Sequence, residues 1–130
     1  MWPPQSGFAS RHYVLNPGRL DDVAGTETVL TLRSPEDTGT AGGEWCAHAT
    51  GTDLPTDQRW DDAGSLVFDT PPLDRTVEIL GAPLATLDLA VDRPVAKIAV
   101  RLNDVAPDGA STRVSYGLLD RKSTRLNSSH

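Results

Sequence analysis

Two runs, KIAVRLNDV (97–105) and STRVSYGLL (111–119), constrain the fold more than any other part of the chain. In the first, Ile98, Val100 and Leu102 alternate with Lys97, Arg101 and Asn103. In the second, Val114, Tyr116 and Leu118 alternate with Arg113 and Ser115. Successive side chains of a strand point to opposite faces, so a period of two over this length reads as a pair of half-buried strands. The link between them carries Pro107-Asp108-Gly109. Proline fixes φ, an aspartate side chain bonds back to nearby backbone, and glycine accepts φ > 0. The pair is therefore expected to form a hairpin, with both apolar triplets facing a core.

Shorter runs repeat the pattern. SLVFDT (65–70) places Leu66 and Phe68 on one face, and TVEIL (76–80) does the same for Val77 and Ile79. Gly81-Ala82-Pro83 interrupts, as a bulge or kinked crossing would. LATLDLAVD (84–92) then turns Leu87, Leu89 and Val91 inward and Asp88 outward. Earlier, RHYVL (11–15) and TETVLTLR (26–33) are expected as short strands, with Val29 and Leu30 or Leu32 toward a core. Residues 34–64 carry turn formers throughout and read as a long loop with a helical turn, anchored by Trp45 and Trp60. No segment shows a helical period. Short strands joined by Gly, Pro and Asp turns predict an all-β antiparallel sandwich or jelly roll.

The eleven glycines and ten prolines in 130 residues agree with a turn-rich single domain. The formal charge of −6, with no basic block, argues against nucleic acid and against an anionic membrane surface, both of which require clustered Lys and Arg. No apolar run approaches a membrane span, and residues 1–13 lack the regions of a signal peptide. Cys46 is the single cysteine, which fits a reducing compartment, and a cytoplasmic location is expected.

The constellations that could carry chemistry are weak. No G-x-S-x-G turn exists for a hydrolase nucleophile, and Gly109-Ala110-Ser111 follows a turn rather than a buried parallel strand. Cys46 and His48, with Asp53 nearby, supply too few ligands for zinc, so a loop cysteine and a surface histidine is the reading kept. Asp21-Asp22 and Asp61-Asp62 could form an acid–base pair across a cleft, yet adjacent loop acids are expected to be solvated or to shape turns. Gly39, Gly42 and Gly43 lack the Lys-Ser/Thr and helix of a phosphate loop. Asp104 and Asp108 could touch calcium, but two acids are not a ligand set. No catalytic residue, metal or cofactor is expected. Trp60, beside Arg59 and Asp61, could stack on a sugar or pin one domain to another.

Some of these residues also carry a resemblance. Asp57-Gln58-Arg59, then SLVFDTPPL (65–73), EILGAP (78–83) and VRLNDVAPDGASTRVSYG (100–117) occur in an order and spacing that resembles the C-terminal domain of the X-prolyl dipeptidyl-peptidase and cocaine-esterase-like serine hydrolases. The likeness runs over about residues 40–120, and less specifically over WPP (2–4) and RHYVLN (11–16). It implies a jelly-roll sandwich of galactose-binding type that packs on an α/β-hydrolase domain. That domain would carry a Ser-Asp-His triad, and no position here matches the triad motifs. Asp57, Arg59 and Asp108 match family positions and are expected to be structural or interdomain.

The expected organisation is a leading segment over 1–40, a partial sandwich over 41–120 and a non-native tail over 121–130. RKSTRLNSSH (121–130) resembles translated sequencing-adapter read-through, and the family's strands are expected to continue after Asp120. The expected function is that of a truncated accessory domain, inactive alone, whose partner is the parent's catalytic domain. The alternative is a free-standing carbohydrate- or ligand-binding module.

Overall fold

A computed structural model describes residues 8–43 and 54–121. Trp45, Cys46, His48, Asp53 and residues 122–130 of the expected tail lie outside them. The chain is all-β. Its described elements are β1 (Val14–Asn16), β2 (Arg19–Asp21), α1 (Arg59–Ala63), β3 (Ala96–Val105) and β4 (Ser111–Arg121), with one 3-10 turn at Thr40–Gly42. The strands form two antiparallel sheets, β1–β2 and β3–β4. The chain divides into two compact units, residues 1–38 with 62–81, and residues 39–61 with 82–130.

In the first unit, β1 and β2 join through Pro17-Gly18, with Gly18 at φ 73°. Proline followed by a residue of positive φ is the chemistry of a type II turn. Asn16 ties the hairpin to the chain that follows. Its Nδ2 donates to Asp21 Oδ2 at 2.8 Å and to the Val23 carbonyl at 3.0 Å, and its Oδ1 accepts from the Gly25 amide at 2.9 Å. Asp69 bridges to Arg19, as the Leu20 amide donates to the Asp69 carbonyl at 2.8 Å. That single bridge is all the ladder formed by the expected strand 65–70. Residues 26–33 and 76–80 form none. The Thr28 hydroxyl bonds the Thr26 carbonyl instead, and Val29 is 90% exposed. Propensity alone does not make a strand, because the ladder needs a neighbour within hydrogen-bonding reach.

In the second unit, β3 and β4 pair over their whole lengths, from Ala96↔Arg121 to Val105↔Ser111. The hairpin is as expected, but the expected facing is not. Residues opposite each other in an antiparallel pair share a face. The register sets Ile98, Val100 and Leu102 against Leu119, Gly117 and Ser115. Tyr116 and Leu118 lie opposite Arg101 and Ala99, on the other face. The two apolar triplets therefore do not build one inner surface. A bulge between Leu102 and Asn103 adds to this: Leu102 pairs with Ser115 and Asn103 with Arg113, leaving Val114 as the extra residue. Arg113 and Tyr116 thereby reach the same face, and the guanidinium sits 4.4 Å from the ring centroid.

Ahead of the hairpin, Leu87, Leu89 and Val91 are half-buried while Asp88 and Ala90 are exposed, so the alternation of 84–92 survives without a named strand. No apolar side chain among the described residues is fully buried. The residues that are buried are polar: Gln58, Asp61 and Ser111, at 0, 1 and 2% exposure. Trp60, expected to anchor the long loop, is 67% exposed.

Candidate functional site

The three buried side chains belong to one cluster, built by the segment 54–61 lying on the Arg101 face of the β3–β4 ribbon. Gln58 is its centre. Its amide N–H donates to the Ser111 carbonyl at 2.8 Å, which fastens the segment to the first residue of β4. Its side-chain Nε2 donates to the carbonyls of Ala41 and Thr56 at 2.8 and 2.7 Å. Its Oε1 accepts from Arg101 Nη1 at 3.1 Å. A buried amide is tolerated only when its donors and acceptor are matched, and here both ends are.

Asp61, three residues on, reaches the glycine-rich turn. Oδ1 accepts from the Gly39 amide at 2.8 Å and Oδ2 from the Ala41 amide at 3.1 Å. Arg101 Nη1 supplies the counter-charge 3.8 Å from Oδ2. Converging backbone amides are a natural cradle for an anion. In this chain the cradle formed by Gly39 and Ala41 holds a carboxylate of the chain itself. Of the two expectations for this acid, solvated or shaping a turn, Asp61 is not solvated, and its carboxylate ties together the Gly39–Ala41 turn. Its burial is made possible by two amide donors and one guanidinium.

Asp57 completes the clamp from the other side. Oδ1 accepts from the amides of Ser111 and Arg59, each at 3.1 Å. Oδ2 accepts from Arg59 Nε at 2.9 Å and Nη2 at 2.6 Å, a two-pronged guanidinium contact. The Arg59 side chain, followed by the Ser111 and Arg59 amides, holds the Asp57 carboxyl below its ordinary 3.8, at about 2. Arg59 is correspondingly a firmer cation, through Asp57 first and the Asp108 charge in addition. Asp57, Arg59 and Asp108 are brought together as structural partners.

The turn 106–110 has the geometry its residues imply. The Gly109 amide donates to the Ala106 carbonyl at 2.8 Å, and Asp108 Oδ1 accepts from the Ala110 amide at 2.9 Å. Gly109 sits at φ 88°, a conformation that other L-residues rarely adopt. Three loop residues ending in a left-handed glycine are a standard hairpin closure.

Ser111 Oγ accepts from the Asn103 amide at 3.1 Å, and an amide cannot take a proton from a nucleophile. Asp21 accepts from Asn16 and pairs with Arg19 at 3.4 Å, and Asp22 pairs with Arg11 at 3.9 Å. Each acid of that pair thus has an arginine beside it. Asp108 is taken by the Ala110 amide, Asp104 stands exposed on β3, and no group of three or more His, Cys, Asp or Glu able to hold a metal occurs among the described residues. Next to the clamp runs an open groove of about 470 Å³, lined by Leu54, Thr56 and Asp57 on one side and Ser111, Thr112 and Arg113 on the other. Sequence reasoning named Gln58 only within the resemblance and Asp61 only as one of two adjacent loop acids, and did not foresee that both are buried in one cluster. The glycines at 39, 42 and 43 opposite a later acid were the available signal, but nothing local indicated their pairing.

No helix among the described residues is long and apolar enough to cross a membrane. No curated protein matches the chain, and no solved structure does. A family model does match, over residues 2–129: the X-Pro dipeptidyl-peptidase C-terminal non-catalytic domain. The chain therefore belongs to the family of X-Pro dipeptidyl-peptidase C-terminal non-catalytic domains.

Proposed function

We propose that this chain is the accessory β-sandwich, of jelly-roll and galactose-binding type, of a serine hydrolase. It packs on an α/β-hydrolase catalytic domain of the parent protein and helps to wall that domain's active site. The parent cleaves Xaa-Pro peptide bonds or related esters and amides through a serine acyl-enzyme, and this domain turns nothing over itself. Residues 41–120 form the sandwich portion, residues 1–40 lead into it, and the protein is cytoplasmic.

The observation that carries this reading is the lack of any buried apolar side chain among the described residues, combined with apolar side chains on both faces of the β3–β4 ribbon. Val114, Tyr116 and Leu118 are 54, 50 and 73% exposed. Surface of this kind marks a place where something else packs, and a non-catalytic domain of a peptidase has a catalytic domain as its natural neighbour. The test is thermal unfolding of the parent protein, followed by loss of hydrolysis and by loss of β-sheet circular dichroism. Coincident midpoints are expected, and well-separated midpoints would mean that the two domains do not share a packed interface. The 130-residue chain is expected to leave a chromogenic Xaa-Pro substrate intact.

A second reading, a free-standing sugar-binding module, draws on the exposed ring of Trp60. It requires saturable sugar binding by this chain.

A further inference from the structure

Arg101 and Arg113 are both half-buried arginines of the β3–β4 ribbon. Arg101 has the Asp61 carboxylate and the Gln58 amide oxygen beside it. The Arg113 side chain makes no hydrogen bond or ion pair among the described residues. Its guanidinium lies 4.4 Å from the centroid of the Tyr116 ring, and so close to Gly42 that an added Cβ there would stand 3.3 Å from Nη1. A ring face offers no lone pair, so the N–H donors of Arg113 stay uncommitted. A cation drawn partly out of water without a counter-charge is unfavourable until an anion joins it.

Arg113 lines the open groove of about 470 Å³, a volume in the range that small ligands fill. The lining residues all belong to the second unit. Leu54, Pro55 and Ala110 supply apolar surface, and the Thr56 hydroxyl is uncommitted among the described residues. The charges select the ligand. One guanidinium matches one planar carboxylate through two parallel N–H bonds. A phosphate dianion would bring its second charge toward Asp57, which also lines the groove and whose own counter-charge, Arg59, is already engaged. A neutral ligand would leave the half-buried cation unpaired. An apolar body behind the carboxylate would cover Leu54, Pro55 and Ala110.

We propose that the groove between residues 54–57 and 110–113 is a binding site for a small monocarboxylate with a short apolar body, and that Arg113 holds the carboxylate. The site lies within one unit of the chain and does not depend on the packing proposed above. Two sources offer this chemistry: a free fatty acid and the C-terminus of a short peptide. The experiment titrates the 130-residue chain with isocaproate and with N-acetyl-leucine, and follows the Arg113 Nε–H signal and the Thr56 and Thr112 amides by NMR. N-acetyl-leucinamide, which lacks the charge, and inorganic phosphate are the controls. Hydrogen exchange at the Gly39 and Ala41 amides, which donate to Asp61, reports whether the fold is intact.

Saturable shifts with a dissociation constant of about 1–10 mM are expected for the carboxylates, and none for the leucinamide at the same concentrations. Tighter binding of N-acetyl-leucine names a peptide terminus as the source, and tighter binding of isocaproate names a fatty acid. Arg113→Gln weakens binding by roughly tenfold or more, and Arg113→Lys falls between because it keeps the charge and loses the fork. The lysine variant carries the comparison if the glutamine variant loses protection at the Gly39 and Ala41 amides. Binding of the leucinamide or of phosphate as tight as that of the carboxylates overturns the choice of ligand. Unchanged affinity in Arg113→Gln, or the absence of saturable shifts up to about 50 mM, overturns the site. Free exchange of the Gly39 and Ala41 amides in the wild-type chain shows that the groove is not formed, and overturns the site as well.

Discussion

Gln58 and Asp61 occupy positions where a small domain ordinarily places leucine or valine. Their energetics differ accordingly, because a matched buried hydrogen bond contributes only about 1 kcal/mol net, whereas removing one partner leaves the other unsatisfied at a larger cost. Asp61→Ala leaves the Gly39 and Ala41 amides without their acceptor and Arg101 without its counter-charge. A loss of about 3 kcal/mol is expected, read as a shifted urea midpoint in the parent protein. Asp61→Asn should lose less, since it keeps one acceptor of the right shape. Gln58→Ala strands the Thr56 carbonyl, leaves the Ala41 carbonyl with the Thr56 amide alone and takes an acceptor from Arg101, and should cost about 2 kcal/mol by the same measurement.

Asp57 gives a pH signature. Its folded pKa, about 2, lies below the ordinary 3.8. The folded state therefore binds its proton less readily than the unfolded chain does, so its contribution is fully present above about pH 4 and disappears as pH falls through 2. Asp57→Asn should remove that part of the acid dependence. A wild-type and variant pair whose stability profiles run parallel between pH 4 and pH 2 would contradict the assignment.

At the scale of elements, the hairpin was legible in the sequence and its facing was not. Period-two alternation and Pro107-Asp108-Gly109 are local signals, and the strands, the Asp108 bond and the positive φ at Gly109 all follow from them. Which side chains share a face depends on register and on the bulge at Leu102/Asn103, and alternation within one strand carries no information on either. The clamp was hidden for a related reason. Its contacts join Gly39 to Asp61 and Gln58 to Arg101, 22 and 43 residues apart, and a lone Asp or Gln in a turn-rich loop looks solvated. Runs such as 26–33 and 76–80 have strand composition, yet composition does not supply a pairing partner.

The turn itself is testable. Gly109→Val forces a branched side chain into φ 88° and should cost about 1–2 kcal/mol or more, whereas Gly109→Asn should cost less because asparagine tolerates that region. Equal urea midpoints for the valine variant and the wild type would refute the conformational argument. Gly64 is constrained differently: a Cβ there would meet Thr38 Oγ1 at 2.5 Å and Pro35 Cδ at 3.1 Å. Gly64→Ala is therefore expected to shift the 35–38 turn, seen as faster hydrogen exchange at the Thr38 amide, which in the wild type donates to the Pro35 carbonyl.

At the scale of the molecule, polar contacts set local geometry while apolar burial ordinarily supplies the driving force for folding. The described residues have an organised polar clamp and no fully buried apolar side chain, so the clamp lacks the support of a core. That imbalance is what an accessory domain relying on a neighbour would show, and the family assignment names a peptidase as the setting. The most direct test is urea unfolding of the 130-residue chain alone, followed in parallel by tryptophan fluorescence and far-ultraviolet circular dichroism. Broad transitions of low slope are expected, with midpoints that differ between the two probes, because little apolar surface is exposed on unfolding. A single steep transition, coincident by both probes in a monodisperse sample, would show that the chain has a cooperative core of its own and would contradict the account.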